Sequence, residues 1–244
     1  MFIQWVFLIS SVTLISSKGL PERIVGGKAV SILSVPWQAS LQKFGDHSCG
    51  AAIYSEDIII TAAHCVKNTN VGIYSVRVGS SYTYFGGQVV RVSRILAHEG
   101  NAKSMSYDIA LIRLQSKLTM NSRVRPIPLA SSSPKRRSPA TVSGWGAVGF
   151  NKAMSTALRE VDVDIVDRNQ CLRSYGRVIT RDMICAAAPG KDACSGDSGG
   201  PLVSDGKLVG IVSFGTDCAH PNYPGVYANV AELKPWILSS VKRL

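Results

Sequence analysis

Short apolar runs separated by turn-forming residues fill most of the chain, and no helical period of apolar residues is sustained before the C-terminus. Valine and isoleucine recur in these runs, which is typical of strands rather than helices. The predicted strands of the first half lie in ASLQKF (39–44), SCGAAIY (48–54), DIIITAAHC (57–65), YSVRVGS (74–80), QVVRVSRILAH (88–98) and DIALIRL (108–114). Those of the second half lie in ATVSGWG (140–146), LREVDVDIV (158–166), GPLVS (200–204), KLVGIVSFG (207–215) and GVYANV (225–230). The pattern predicts an all-β fold.

One segment without apolar periodicity separates the two series of strands. This seam, PIPLASSSPKRRSP, runs from Pro126 to Pro139 and is rich in proline and serine, as linkers between compact units often are. We therefore predict one β unit over about residues 24–125 and a second over about residues 126–232.

The C-terminal tail has a different pattern. Trp236, Ile237 and Val241 recur at helical spacing, and Pro235 stands near the start of this segment, where a helix tolerates proline. The tail predicts one helix over about residues 233–244.

The first residues do not belong to the predicted β units. Met1 to Ser17 contains no charged residue and ends in small residues, which predicts a secretory signal peptide cleaved between residues 17 and 19. A membrane anchor is the alternative, but the segment is shorter than the roughly 20 residues that a spanning helix needs. We therefore expect a secreted, extracellular protein without a membrane span.

Six cysteines, an even number, fit an oxidising compartment. No C-x-x-C pair occurs among them, so the spacing is not that of a zinc site. Spacing alone does not choose among the possible disulfide pairings. The cysteines are Cys49, Cys65, Cys171, Cys185, Cys194 and Cys218.

The formal charge of +11 at pH 7 is concentrated around the seam, in RVRP (Arg123–Pro126) and PKRR (Pro134–Arg137). A charge run in a Ser/Pro-rich segment is usually a solvated loop, and we favour that interpretation. Binding to sulfated glycans or other polyanions is the alternative. We expect no nucleic-acid partner.

The segment KDACSGDSGGPL (191–202) carries the strongest indication of chemistry. Ser198 is flanked by glycines, which let the backbone turn tightly or approach a ligand. A nucleophilic serine needs a base to take its proton and a further group to hold that base. His64 follows an apolar strand in TAAHC, and Asp108 opens one in DIALIRL, so these two are the candidates. The other histidines are expected at the surface: His47, His98 and His220.

The motifs TAAHC, DIAL and GDSGGP follow one another in this order, together with RIVGG, SGWG, PGVYANV and KPWI. In these motifs the chain resembles the chymotrypsin-fold serine endopeptidases, in which base, orienting acid and nucleophile follow in the order His, Asp, Ser. The resemblance covers nearly the whole chain from Arg23 onward. It implies two six-stranded antiparallel β-barrels with the active site in the cleft between them, a C-terminal helix, polypeptide substrates and no cofactor. No metal is expected either, because the segment in which the family holds calcium lacks carboxylates in this chain.

For the catalytic residues, the resemblance implies that Ser198 is the nucleophile, His64 the general base and then acid, and Asp108 the group that fixes the imidazole tautomer. The backbone N–H groups of Gly196 and Ser198 would form the oxyanion hole. The implied disulfides are Cys49–Cys65, Cys171–Cys185 and Cys194–Cys218.

The resemblance also implies a zymogen with a short propeptide over residues 18–23. Cleavage after Arg23 would create an ammonium at Ile24, which can pair with Asp197 and hold the oxyanion loop in its working shape. The segment before Arg23 lacks the acidic run of many digestive zymogens. The activating protease is therefore left open.

The other acid of the segment 191–202, Asp192, matches the family position at the base of the pocket for the side chain before the cut bond. A carboxylate there resembles trypsin and implies cleavage after Arg and Lys. Ala193 replaces a serine found in many trypsins, so Arg should be preferred, since a guanidinium can pair bidentately with a carboxylate. The implied pocket residues are Asp192, Ala193, Ser213, Gly215 and Gly225.

Two departures from the vertebrate digestive pattern change the picture. The segment from Val78 to Val92, where the family holds calcium, contains neither Asp nor Glu, and calcium prefers charged oxygen ligands. Phe214 stands where a tryptophan usually lines the pocket entrance, so subsite preference should shift. In its six cysteines, which the resemblance pairs into three disulfides, and in its lack of calcium-loop carboxylates, the chain is more similar to insect-type trypsins than to vertebrate ones.

Two other functions stay open at this point. A catalytically dead homologue would serve as a binding or signalling module, but such proteins typically lose a triad residue, and here His64, Asp108 and Ser198 are all present. A polyanion-binding protein would use the basic seam as its main function. For an active enzyme, an activating protease and protein inhibitors are the further expected partners, and a monomer is expected.

Overall fold

The computed structural model describes residues 25–68, 70–103, 105–147, 149 and 152–244. The predicted signal peptide and propeptide, including Arg23, and the predicted new N-terminus at Ile24 lie outside these residues.

Short strands make up most of the first half of the chain. They are β1 (Lys28–Ala29), β2 (Gln38–Lys43), β3 (Asp46–Ile53), β4 (Ile58–Thr61), β5 (Tyr74–Val78), β6 (Gln88–Ala97) and β7 (Ala110–Leu114). Strands β2 to β7 close into an antiparallel barrel in the order β2-β3-β4-β7-β6-β5. In β5, Tyr74, Val76 and Val78 are buried while the residues between them are half-buried, as expected where one face of a strand lines a barrel interior.

The second half forms another antiparallel sheet. Its strands are β8 (Pro139–Gly144), β9 (Arg159–Ile165), β10 (Met183–Ala187), β11 (Pro201–Ser204), β12 (Lys207–Phe214) and β13 (Gly225–Asn229). They pair in the order β9-β10-β13-β12-β11-β8, and the pairing of β8 with β9 closes the barrel. Strand β1 pairs with the first two residues of β9. The prediction of two six-stranded antiparallel barrels is confirmed.

Two α-helices accompany the barrels: α1 (Arg168–Tyr175) and α2 (Val230–Val241). Short 3₁₀ helices lie at Ala63–Val66, Val71–Ile73, Glu99–Lys103 and Gly176–Val178. Among the described residues, no helix is long and apolar enough to cross a membrane.

The C-terminal helix begins three residues earlier than the sequence pattern predicts. Pro235 therefore lies inside α2 rather than in its first turn, and its exposed ring faces solvent. The predicted apolar face is present, because Trp236, Ile237 and Val241 all pack on one cluster. Val230 and Leu233 are buried in the same cluster, and they extend the apolar face of the helix toward β13.

This cluster also joins the two barrels. Ile60 and Leu111 from the first barrel pack with Leu208 and Ala228 from the second, and Ile237 of α2 closes the cluster. Burial of these side chains fixes the barrels against each other. The C-terminal end of β4 and the N-terminal end of β7 consequently face the loop that precedes β11.

Candidate active site

A histidine and an aspartate meet at neighbouring strand ends of the first barrel. In the antiparallel pair of β4 and β7, Thr61 lies opposite Ala110. His64 follows the end of β4 by three residues, and Asp108 precedes β7 by two. The register of this one strand pair therefore brings the two side chains together.

The contact between them is a pair of hydrogen bonds. His64 Nδ1 lies 2.7 Å from Asp108 Oδ2, and the His64 backbone N–H donates to Asp108 Oδ1 at 2.9 Å. Since an ionised carboxylate only accepts hydrogen bonds, Nδ1 carries the proton and Nε2 is the free base. The carboxylate thus selects the tautomer that can take a proton from a nucleophile.

Asp108 keeps its charge although it is only 3% exposed. Burial acts to raise the pKa of its carboxyl, but the hydrogen bonds from His64 and from the Ser213 hydroxyl outweigh burial and leave the pKa below its ordinary value. The Ser213 Oγ donates to Asp108 Oδ2 at 2.6 Å. The family resemblance assigns Ser213 to the substrate pocket alone. Its contact with Asp108 is not predictable from the local sequence, because β12 meets Asp108 only after the barrels pack.

Ser198 lies in the loop before β11 and is held against the first barrel. Gly50 N–H donates to the Ser198 carbonyl at 2.8 Å. The Cys65 sulfur lies 3.6 Å from the same carbonyl oxygen and 3.8 Å from His64 Nε2. Gly199 has φ of +81°, and a Cβ there would lie 2.2 Å from Thr61 Oγ1, so only glycine allows this approach.

The acid next to the serine, Asp197, is completely buried. Its carboxylate accepts the backbone N–H of Gly146 at 2.8 Å and of Cys194 at 3.0 Å. A Cβ at Gly144 or Gly146 would lie within 2.3 Å of this carboxylate, so the backbone of the SGWG motif closes directly over it. Burial raises the pKa of Asp197 to about 6.

His47 is not a surface residue, contrary to the sequence-based prediction. Its Nε2 donates to the Gly196 carbonyl at 3.0 Å, and its Nδ1 lies 2.8 Å from Ser40 Oγ. The ring also packs edge-on against Trp145 at 5.6 Å. Burial lowers the pKa of the ring, so a neutral His47 supports the oxyanion loop. Its partners are distant in sequence, which is why the local pattern did not reveal them.

His98 and His220, which are expected at the surface, are half-buried there. His98 stacks on Tyr107 at 4.6 Å and lies 4.8 Å from Trp236 of α2. His220 contacts Tyr223 at 4.9 Å. These aromatic contacts account for the positions of both rings and give neither a catalytic role.

A cavity of about 250 Å³ opens beside Ser198. Asp192 lies in its wall, is 4% exposed, and accepts the Ala219 backbone N–H at 3.0 Å. A Cβ at Gly225 would lie 2.8 Å from Asp192 Oδ1, so a side chain there would fill the space in front of the carboxylate. The residues that the family resemblance assigns to the pocket all line this cavity: Asp192, Ala193, Ser213, Gly215 and Gly225.

The pocket combines a buried acidic group with both apolar and polar lining residues. Burial raises the pKa of Asp192 to about 6, although hydrogen bonds from the backbone N–H groups of Ala219 and Ala193 act to lower it. Phe214 also lines the cavity and packs edge-on against Tyr175. Such a site can accept a long side chain with an apolar stem and a cationic end.

The comparisons with known proteins decide the family. The family model described as Trypsin matches residues 24–237. The chain belongs to the trypsin family. It is 48% identical to Trypsin delta of Drosophila melanogaster, over 98% of this chain and 99% of that protein. It is also 48% identical to Trypsin alpha-4 of Lucilia cuprina, over 98% of each chain.

A solved structure agrees with this assignment. Neuropsin, a serine protease expressed in the limbic system of mouse brain, superposes with a TM-score of 0.82 at 36% identity, covering 88% of this chain and 98% of that one. The predicted family, its insect-type likeness and the predicted enzyme class are confirmed. The protein is a trypsin-like serine endopeptidase, and its substrates are polypeptides.

Three disulfides tie the loops of this trypsin-family chain. They join Cys49 to Cys65, Cys171 to Cys185, and Cys194 to Cys218, the pairs that the family resemblance implies. The first ties the 3₁₀ turn that carries His64 to β3, and the third ties the two walls of the cavity. Crosslinks of this kind reduce loop freedom where geometry matters.

An arginine is hydrogen-bonded to the loop in which the family holds calcium. Arg77 of β5 donates to the Gly86 carbonyl at 2.5 Å and to the Tyr84 carbonyl at 3.4 Å. The guanidinium thus brings a positive charge to two backbone oxygens of this loop. Together with the missing carboxylates, this supports the prediction that the loop does not need calcium.

We therefore expect a chelator to leave the melting temperature and the resistance to self-digestion unchanged. Differential scanning calorimetry with and without EDTA measures the first, and gel analysis of timed incubations measures the second. A fall of several degrees that added calcium reverses would show a calcium site and contradict this interpretation.

The basic seam lies at the surface of the second barrel. Arg136 lines a second cavity, of about 450 Å³, together with Arg168 and Arg181. The guanidinium of Arg168 donates to the carbonyls of Thr180 and Ile179. Polyanion binding by this surface stays a prediction.

Proposed function

We propose that this enzyme is a secreted endopeptidase that cuts polypeptides after arginine, and less efficiently after lysine, through an acyl-enzyme on Ser198. The observation that carries the specificity is the buried carboxylate of Asp192 in a cavity beside Ser198. The buried carboxylate accepts backbone hydrogen bonds, which leave its negative charge in place. A substrate guanidinium would neutralise that charge.

His64 and Asp108 would activate the serine. His64 Nε2 takes the proton from Ser198 Oγ as the hydroxyl attacks the scissile carbonyl, and Asp108 stabilises the imidazolium that forms. The imidazolium then gives its proton to the leaving amine. Water, deprotonated by His64 in the same way, releases the acyl group from Ser198. The Nδ1 to Oδ2 contact of 2.7 Å supports these roles.

The backbone N–H groups of Gly196 and Ser198 would stabilise the oxyanion. Preorganised donors contribute most when their backbone is fixed before the reaction. Here His47 holds the Gly196 carbonyl, and Asp197 holds the backbone of Cys194 and Gly146. Both contacts support a rigid oxyanion loop.

The zymogen, its activating protease and secretion belong to the same proposal. RIVGG offers a single basic cleavage site at Arg23, and the uncharged start of the chain supports export. Buried Asp197 would receive the new ammonium of Ile24. Protein inhibitors that fill the cavity beside Ser198 would compete with substrate.

Profiling of the protein cleaved after Arg23 against a mixed peptide library tests this function. Mass spectrometry of the products should show cuts after arginine, followed in frequency by lysine. Cuts that mainly follow phenylalanine or leucine would contradict the assignment of Asp192 to an arginine pocket. The absence of any cut would contradict the proposed catalytic roles of His64, Asp108 and Ser198.

Binding of a small cation to the pocket should depend on pH. Because the pKa of Asp192 is raised to about 6, the free carboxyl is protonated below that pH and a cation must displace its proton. We expect the affinity for benzamidine to be constant above about pH 7 and to fall about tenfold per unit well below pH 6.

Calorimetric titration of the Ser198→Ala variant between pH 4.5 and pH 8 measures this dependence without self-digestion. The matched Asp192→Asn variant should bind weakly with no inflection near pH 6. An affinity that stays level down to pH 5 in the parent would contradict a raised pKa for Asp192.

A further inference from the structure

Three aromatic side chains are exposed in the loop between β5 and β6. Tyr82, Tyr84 and Phe85 are 39%, 64% and 49% exposed. Their rings contact one another, with Tyr82 stacked on Phe85 at 4.5 Å and Tyr84 edge-on to Phe85 at 4.9 Å. Clustered exposed aromatic rings commonly mark a binding surface. These three residues are called the aromatic patch.

The backbone beneath the aromatic patch is fixed by polar contacts. Arg77 donates to the carbonyls of Tyr84 and Gly86, and the Ser80 hydroxyl donates to the Phe85 carbonyl at 2.7 Å. The Ser80 Oγ also accepts the Tyr82 backbone N–H at 3.0 Å. The backbone that carries the rings is therefore already ordered, and a ligand would not have to order it on binding.

The aromatic patch is connected to the oxyanion loop through one short segment. Tyr82 forms a β-bridge with Ala157, and Thr83 N–H donates to the Thr156 carbonyl at 3.3 Å. Met154 lies at the other end of this segment. A Cβ at Gly196 would lie 2.6 Å from Met154 Sδ, so the thioether packs directly on the oxyanion glycine.

Met154 and the aromatic patch lie outside the pocket for the side chain before the cut bond. That cavity is lined by residues of the second barrel between 192 and 227, whereas the aromatic patch belongs to the first barrel. Met154 is 49% exposed, so a chain that leaves Ser198 over Gly196 would meet first the thioether and then the rings.

We propose that Met154 and the aromatic patch form a docking surface for the part of a polypeptide substrate that follows the cut bond. The surface suits apolar and aromatic side chains. The proposal rests on the proposed function, since it takes Ser198 as the point of cleavage, and it adds a substrate preference beyond the arginine pocket.

Chain geometry gives the positions that reach the aromatic patch. Met154 and Ala157 are three residues apart, which spans at most about 11 Å, and the bridged Tyr82 lies about 5 Å farther. An extended peptide advances about 3.3 Å per residue. Residues roughly three to six positions after the cut should therefore contact the rings.

Matched peptides with one arginine test this surface. The reference peptide carries six glycine and serine residues after the arginine, and the test peptide has phenylalanine at the fourth of these positions. A third peptide carries the phenylalanine four positions before the cut, and an arginine anilide has no peptide after the cut.

The protein cleaved after Arg23 should cut the test peptide with kcat/KM about three- to tenfold above the reference, mainly through a lower KM. The Tyr84→Ser/Phe85→Ser variant should lose this gain and keep the wild-type rate on the anilide. Leu238→Ser, which removes an apolar side chain 43% exposed on α2, is the matched control and should keep the gain.

Equal rates on the test and reference peptides would overturn the proposal. So would a gain only with phenylalanine before the cut, or an equal loss on the anilide in the double variant, which would indicate a purely structural role. If the wild-type enzyme cuts none of the arginine substrates, the proposed function fails. Docking is then judged by calorimetry with Ser198→Ala, where the test peptide must bind more tightly than the reference.

Discussion

Replacement of Asp192 with serine is expected to lower kcat/KM for arginine substrates by about 10²–10⁴-fold. The substrate guanidinium would enter the cavity without a partner, and removal of one member of a buried ion pair costs about 3–5 kcal/mol. Substrates with phenylalanine or leucine before the cut need no carboxylate and should be much less affected. Steady-state kinetics on matched peptide amides measures kcat/KM for both classes of substrate.

Asp164→Ser serves as the control, because it removes an exposed carboxylate on β9 and leaves the cavity intact. If Asp192→Ser cuts arginine substrates at the wild-type rate, the assignment of Asp192 to the substrate pocket is wrong. The assignment of the catalytic residues would not be affected by this result. Equal losses on arginine and phenylalanine substrates would point to damage at Ser198 instead.

Substitution of Arg23 with glutamine should give a folded protein with peptidase activity at least about 10²–10³-fold below that of the processed enzyme, the loss associated with one missing oxyanion donor. Without cleavage no ammonium forms at Ile24. Asp197 is completely buried and burial raises its pKa to about 6, so a cation delivered there would stabilise its charged form and the loop that it holds.

Arg23→Lys is the matched variant, because it keeps a basic cleavage site and should regain full activity after limited tryptic treatment. Thermal unfolding of both variants before processing reports whether they are folded. Full activity in uncleaved Arg23→Gln would contradict the zymogen proposal.

The sequence predicts most strands correctly because their apolar runs are bounded by turn residues. It misses β10, Met183–Ala187, whose residues are nearly all buried, since a short run that is apolar on both faces shows no alternation. It also misses β1, which has two residues and is stabilised by its pairing with β9 rather than by its own pattern.

In the site, the sequence motifs point to His64, Asp108, Asp192 and Ser198. In the structure His64 is hydrogen-bonded to Asp108, and Asp192 and Ser198 line one cavity. The hydrogen bonds that support these residues are harder to predict from the sequence. Ser213 reaches Asp108 over 105 positions of sequence, and His47 reaches Gly196 over 149. Contacts between residues so far apart depend on how the barrels pack. The local sequence pattern therefore does not predict them.

Reaction of the processed protein with the nitrophenyl ester of guanidinobenzoic acid tests the central claim most directly. The guanidine group should enter the Asp192 pocket and the acyl group should transfer to Ser198. The account predicts a burst of about one nitrophenol per protein molecule and a mass adduct on the peptide that contains Ser198. A missing burst, or an adduct on another residue, would contradict it.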